Sequence, residues 1–102
     1  LRITAYRQLA EVMTRNELDE LRDQWQDQFG ERLPHSVRNL LTCAAIRLAA
    51  AHAGINEVEI EDRKLKLSRN GKFVMLNGKF PRLTAKVGHL QLEETLKMLR
   101  AF

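Results

Sequence analysis

The amino-acid sequence predicts an α+β domain with three N-terminal helices, a small antiparallel β-meander of three to four strands and a closing C-terminal helix. Changes in hydrophobic period support this fold class. Apolar residues recur at helical spacing up to Gly54, alternate with polar residues beyond it, and return to helical spacing near the end of the chain. Two Asn-Gly pairs, at 70–71 and 77–78, also supply the tight turns that join antiparallel strands.

Length and composition limit the protein class. The 102 residues suffice for one domain, and a composition of 44% hydrophobic and 29% charged residues excludes disordered and collagen-like proteins. The apolar runs fall far short of the roughly 18 residues that a membrane span requires. The lone Cys43 cannot form an internal disulfide, which favours either a reducing compartment or a fold that needs no disulfide, and we expect a cytoplasmic location. Because the chain begins at Leu1 without a methionine, we expect residues 1–102 to be a single domain cut from a larger multidomain protein.

Apolar stripes predict the first two helices. The first helix, of about 13 residues, carries its stripe at helical spacing on Ile3, Tyr6, Leu9, Ala10 and Met13. Thr14 to Glu17 then has the form of a capping box, which starts the second helix. The apolar stripe of this helix consists of Leu18, Leu21, Trp25 and Phe29, and we expect Trp25 to pack in the core.

A third helix, roughly His35 to Ala53, is predicted by Leu33-Pro34 before it and by Gly54 after it. Its wide apolar face makes it the central core helix. Ile46 falls instead in the middle of the opposite, polar face. Either another part of the domain covers this side chain, or Ile46 is a secondary contact for a partner.

The strand signals set a register across the meander. Glu57–Glu61 and Lys64–Ser68 alternate perfectly on either side of a two-residue turn. The register that follows pairs Glu61 with Lys64, Ile60 with Leu65, Glu59 with Lys66 and Val58 with Leu67. The turn at Asn70-Gly71 continues the pattern by placing Leu67 opposite Val74 and Leu65 opposite Leu76.

This pairing leaves three apolar side chains on the charged face of the sheet, namely Phe73, Met75 and Phe80. Apolar side chains of this size favour burial. We therefore expect the last helix, about Leu90 to Phe102, to cover them with its leucine stripe.

No catalytic or metal-binding motif is visible in the sequence. It contains no phosphate-binding loop, no nucleophile elbow, no His-Glu-x-x-His and no cysteine pair at zinc spacing. The three histidines are far apart along the chain. We therefore expect a domain that is not an enzyme, with no catalytic residue, metal ligand or cofactor of its own.

One face of the second helix is acidic. Asp19, Asp23 and Asp27 follow one another at intervals of four residues, which stacks three like charges along the helix. Asp27 is also close to the C-terminus, where the helix dipole disfavours an anion. The stripe is either a solvated face or a docking surface for an arginine-bearing partner.

The formal net charge of +4 arises entirely after residue 53. From Arg63 to Lys86 the chain has eight basic residues and no acidic one. A small nucleic-acid-binding module is therefore an alternative function. Its candidate contacts are Arg63, Arg69, Lys72, Lys79, Arg82 and Lys86. Strand pairing argues against this alternative, because Lys64 and Lys66 lie opposite carboxylates and the aromatic side chains of the run are expected to be covered.

The motifs of the first half resemble a known family. They are Tyr6-Arg7-Gln8-Leu9-Ala10, Glu17-Leu18-Asp19-Glu20-Leu21, Asp27-Gln28-Phe29-Gly30, Leu33-Pro34 and Val37-Arg38-Asn39-Leu40-Leu41. In order and spacing, this part of the chain resembles the C-terminal domain of the bacterial transcription-repair coupling factors (Mfd). The resemblance extends over about Leu1 to Ile55, and beyond it only the order of strands and helix agrees.

The resemblance implies a regulatory domain of a large DNA translocase. The parent protein would use ATP and Mg bound elsewhere in its chain, displace stalled RNA polymerase from DNA and recruit nucleotide excision repair. In that family the C-terminal domain packs on a UvrB-like N-terminal module of the same polypeptide and masks the surface that binds UvrA. The acidic residue at this contact matches Asp27. A family Glu three positions earlier is Gln24 here, and the Arg of the family's Asp-Arg-Phe-Gly is Gln28. The expected partner-binding residues are therefore Asp27, Gln24, Gln28 and the neighbouring Asp23.

Overall fold

A computed structural model describes residues 3–30 and 32–102 of the chain. Within these residues, four helices and a three-stranded antiparallel sheet confirm the predicted α+β class and the closing helix. The elements are α1 (Ile3–Glu11), α2 (Arg15–Phe29), α3 (His35–His52), β1 (Glu57–Glu61), β2 (Lys64–Arg69), β3 (Lys72–Phe73) and α4 (Gly88–Arg100). The chain divides into two compact units, Leu1–Leu48 and Ala49–Phe102, and the prediction of a single domain stays a prediction. None of the described helices is both long and apolar enough to cross a bilayer.

Helix α1 is shorter than predicted, and most of its apolar stripe is exposed. The helix ends at Glu11, and Leu9 is its buried residue. Ile3 is 77% exposed and Met13 is 73% exposed, so these two residues of the stripe do not enter a core. Helical spacing places apolar residues on one face, but it does not determine what that face contacts.

The start of α2 agrees with the capping prediction. Thr14 has an extended backbone, and its hydroxyl oxygen accepts a hydrogen bond from the backbone N–H of Glu17 at 3.1 Å. This satisfies one of the donors that a helix N-terminus leaves without an intrahelical partner. In a standard capping box the Glu side chain accepts a hydrogen bond from the backbone N–H of the cap residue. Here the Glu17 carboxylate accepts instead from the Thr14 hydroxyl, at 3.2 Å.

The two ends of the α2 stripe differ in burial. Leu18, Leu21 and Trp25 are buried, as expected for Trp25, whereas Phe29 in the last turn is 47% exposed. A residue at a helix end lies where the packed face gives way to a connecting segment, so its spacing alone did not secure burial.

Helix α3 ends in a Schellman motif, close to its predicted end. The N–H of Gly54 donates to the carbonyl of Ala51 at 3.1 Å, and the N–H of Ile55 donates to the carbonyl of Ala50 at 2.8 Å. Gly54 has a φ of 75°, a value that glycine adopts without the steric cost that a Cβ atom brings.

The register of β1 and β2 is the predicted one, from Glu61 opposite Lys64 to Val58 opposite Leu67. One face of β2 is fully buried, since Leu65 and Leu67 are 0% exposed. The adjoining Asn70-Gly71 turn has positive φ values of 53° and 80°, as a two-residue hairpin turn requires.

Strand β3 is shorter than predicted. The N–H of Val74 donates to the carbonyl of Leu67 as expected, but the pairing of Leu65 with Leu76 is wrong. Leu76 exchanges backbone hydrogen bonds with Lys79 across the second Asn-Gly turn, and the N–H of Leu65 donates to the carbonyl of Pro81 at 2.8 Å. The second Asn-Gly turn thus forms a separate hairpin, and the segment that follows it pairs with β2 in place of Leu76.

Helix α4 does not cover the apolar side chains as expected. Phe73 is 51% exposed and Met75 is also exposed, whereas Phe80 is half-buried. On α4 itself, Thr95 and Leu99 are the buried residues. The Thr95 hydroxyl donates to the carbonyl of Gln91 at 2.8 Å, so burial leaves it hydrogen-bonded.

Candidate functional site

The candidate site is the exposed surface of the C-terminal half of α2. At 3.6 residues per turn, Asp23 and Asp27 lie roughly opposite Trp25. Asp23, Gln24, Asp27 and Gln28 are all exposed, and their spacing places them on two successive turns. The structure thus brings the four predicted partner-binding residues together, and we call them, with Asp19, the acidic face.

The carboxylates of the acidic face differ in their partners. Asp19 forms an ion pair with Arg22, with 3.6 Å between a carboxylate oxygen and a guanidinium nitrogen. Among the residues that the structure describes, neither Asp23 nor Asp27 takes part in an ion pair. The last turn of α2, within Arg15–Phe29, has no basic residue, so nothing on the helix offsets the unfavourable position of Asp27 at its C-terminal end.

Ile46, the predicted secondary contact, is buried. Of the two alternatives drawn from the sequence, its burial agrees with cover by another part of the chain. In this structure the side chain is therefore not available to a partner.

A comparison with known protein families matches residues 1–74 to the TRCF domain, the domain of transcription-repair coupling factors. The chain belongs to this family. The match includes the whole acidic face and ends after β3, so the segment from Met75 through α4 lies outside it. Searches of curated proteins and of solved structures give no significant match to the chain.

The six basic residues considered as nucleic-acid contacts are exposed, but they differ in whether they make contacts within this TRCF domain. Arg63, Arg69, Lys72, Lys79, Arg82 and Lys86 all reach the surface. One of them has an internal role, because a guanidinium nitrogen of Arg69 donates to the carbonyl of Ala53 at 2.6 Å. This bond places a positive charge at the C-terminal end of α3, where the helix dipole favours a cation.

Lys66 is also engaged within the domain. Its ammonium group pairs with Glu61 on the neighbouring strand, diagonally across the register rather than with Glu59 directly opposite. The hydrogen bond and charge of Lys66 lower the pKa of the Glu61 carboxyl, and Glu61 raises the pKa of Lys66. The Lys66 ammonium nitrogen also lies 5.8 Å from the centroid of the Phe80 ring, within cation–π range.

Two structural side chains of the TRCF domain were missed by the sequence reasoning. Arg47 on α3 donates from one guanidinium nitrogen to the carbonyls of Leu9 and Val12, at 3.3 and 3.0 Å, and so satisfies acceptors at the end of α1. Glu94 on α4 accepts hydrogen bonds from the backbone N–H groups of Thr84 and Ala85 at about 3 Å. These bonds lower the pKa of the Glu94 carboxyl.

No helical or strand pattern signals either contact. Arg47 reaches a carbonyl 35 residues earlier in the chain, so sequence spacing carries no information about it. The residue at the N-cap of α4 is Val87, which makes no side-chain cap hydrogen bond. No capping motif therefore indicates that the Glu94 side chain binds the segment ahead of the helix.

Metal-binding and nucleophilic chemistry have little support in the described residues. Within residues 3–30 and 32–102, no group of three or more His, Cys, Asp or Glu side chains is placed to hold a metal ion. Partial burial raises the pKa of the exposed Cys43 thiol, which lowers its reactive thiolate fraction at neutral pH. The prediction of a domain without catalytic residues or cofactors stays a prediction.

Proposed function

We propose that this TRCF domain is a regulatory interaction domain that docks through the acidic face of α2 on a cationic surface. The observation that carries the proposal is the pair of exposed carboxylates on Asp23 and Asp27, which no cation of the described chain neutralises. The helix that presents them is held by three buried side chains and by the Thr14 cap. A surface ordered before binding loses little conformational entropy when a partner arrives.

The partner that fits is an arginine-bearing surface. Arginine presents a planar fork of donors that matches a carboxylate in a bidentate geometry, and such charge-assisted hydrogen bonds are among the strongest in proteins. Gln24 and Gln28 add hydrogen-bonding groups but no charge. We therefore expect the charge of the contact to be concentrated on Asp23 and Asp27.

Family membership supports the identity of the docking partner. We propose that the surface belongs to a UvrB-like N-terminal module of the same polypeptide, and that docking masks the site for UvrA. The parent protein would be an ATP-dependent DNA translocase that acts on stalled RNA polymerase in nucleotide excision repair, with its ATP and Mg sites elsewhere. The domain then holds its parent in a repressed state until the contact opens.

The test is the affinity of the full-length parent protein for UvrA. Asp27→Arg places a cation against the proposed arginine surface, so docking weakens and the masked site opens. We expect UvrA affinity to rise at least about tenfold, which corresponds to a docking free energy weakened by about 1.4 kcal/mol. Surface plasmon resonance on immobilised UvrA measures this affinity directly.

A matched variant separates docking from a general effect of charge. Glu93→Arg makes the same reversal at an exposed carboxylate on α4, in the second unit, and is expected to leave UvrA affinity unchanged. Asp27→Arg also removes an anion from a helix C-terminus, so it is not expected to unfold α2. Equal UvrA affinities for wild type, Asp27→Arg and Glu93→Arg would contradict the proposal.

A further inference from the structure

The second unit has an aromatic pair of which one ring, that of Phe73, is exposed. The rings of Phe73 and Phe80 meet edge to face, with 5.2 Å between centroids and 79° between planes. Phe73 is 51% exposed, so about half of this apolar residue faces solvent. Single exposed apolar residues are common in proteins, but Met75 and Leu76, close by in the chain, are exposed as well.

The chain segment that carries this aromatic pair is strongly basic. From residue 63 to residue 92 the chain has eight Lys or Arg side chains and no Asp or Glu. Lys72 and Lys79 each adjoin one of the two phenylalanines in sequence, and both are exposed. The acidic side chains that share the face of the sheet lie on β1, with β2 between them and Phe73, and Glu61 is already paired with Lys66.

This surface lies partly outside the part of the chain that the TRCF family accounts for. The family match ends at residue 74, next to Phe73, whereas Phe80 and Lys79 lie beyond it. The α2 docking surface therefore does not explain these residues. Burial under α4 would have given Phe73 and Phe80 a purely structural role, but Phe73 is not buried.

We propose that the Phe73–Phe80 surface of the β-meander binds single-stranded nucleic acid. An exposed aromatic ring offers a face on which an unpaired base stacks, and neighbouring lysines attract the phosphates of the strand. A duplex keeps its bases stacked on one another, so it would use the cations but not Phe73. An acidic peptide likewise would use the cations and leave the ring without a stacking partner.

The test is fluorescence anisotropy of a labelled homothymidine oligonucleotide titrated with the 102-residue chain over a series of salt concentrations. Phe73→Leu keeps an apolar side chain against Phe80 but removes the stacking ring. We expect it to weaken binding about fivefold or more at every salt concentration. Lys79→Gln removes one phosphate contact, so the slope of log affinity against log salt should become shallower by about 0.7.

Matched variants in the first unit serve as controls. Phe29→Leu alters an aromatic residue of nearly equal exposure, and Arg7→Gln removes an exposed cation. Both should bind the oligonucleotide like the wild type. Absence of binding at low salt, equal binding by wild type and Phe73→Leu, or tighter binding of a duplex of the same length would overturn the proposal. Displacement by a polyglutamate peptide more efficiently than by unlabelled oligonucleotide would also overturn it and assign the surface to an acidic protein segment.

Discussion

The acidic helix α2 and the basic β-meander use their charges in opposite ways. The first 53 residues carry seven basic and seven acidic side chains and sum to zero, yet Asp23 and Asp27 have no ion-pair partner in the described chain. The meander and the helix after it supply the whole net charge of +4, yet Lys66 and Arg69 are engaged internally. A net charge is thus a poor guide to where a protein presents charge to a partner.

The comparison also separates two kinds of exposed surface. On α2, charge is exposed while the apolar side is buried, as in an ordinary amphipathic helix. On the meander, aromatic and basic side chains are exposed together around Phe73. The first surface fits a partner of opposite charge, and the second fits a partner that has both aromatic rings and negative charge.

The largest expected effect comes from removing the support of the acidic face. Trp25 is the largest buried side chain of α2, and truncating it leaves a cavity. Trp25→Ala should therefore lower the free energy of unfolding by about 3–5 kcal/mol. Urea unfolding followed by far-ultraviolet circular dichroism measures the change. Phe29→Ala removes an aromatic side chain from the same helix that is 47% exposed, and its cost should stay below about 1 kcal/mol. Equal costs for the two variants would show that α2 is not anchored through Trp25.

A smaller effect of opposite sign is expected at the acidic face itself. Asp27→Asn removes an anion that repels Asp23 one turn earlier and lies at the unfavourable end of the helix dipole. The free energy of unfolding should therefore rise by about 0.3–1 kcal/mol. The same variant should weaken docking on the UvrB-like module, which would make stability and function change in opposite directions.

Thermal unfolding at low ionic strength measures this gain, and salt should reduce it because exposed charges are screened. Glu93→Gln, at an exposed carboxylate on α4, provides the matched control and should change stability less. A loss of stability in Asp27→Asn would mean that Asp27 has a favourable partner within the domain.

The parts of the fold that the sequence predicted are those that depend on local chemistry. The Thr14 cap, the Gly54 stop and the register of β1 with β2 each follow from neighbouring residues or from a two-residue turn. The pairing of Leu65 was mispredicted because two Asn-Gly turns compete for the same stretch of chain, and the second closes on Leu76 and Lys79.

The candidate site was predictable for a related reason. Helical spacing alone places Asp23 beside Asp27 and Gln24 beside Gln28 on successive turns, whatever the tertiary structure. The exposure of Phe73 was not predictable, because burial depends on which element packs on a face and not on the spacing within it. The Arg47 contact with the end of α1 likewise joins segments far apart in sequence.

The smallest expected effect concerns a carboxylate that the second unit uses internally, in contrast to Asp27. Hydrogen bonds from Thr84 and Ala85 lower the pKa of Glu94 below its ordinary value of 4.5 in the folded state. A lowered folded-state pKa means that the carboxylate stabilises the fold fully above the unfolded value, and that this stabilisation is lost as the pH falls through the folded-state pKa. The stability difference between wild type and Glu94→Gln should therefore be present at pH 7 and shrink below about pH 4.5. Thermal unfolding across this pH range measures it, with Glu93→Gln as the neighbouring control. A difference that stays constant down to pH 3 would show that the hydrogen bonds, and not the charge, hold residues 84 and 85 to α4.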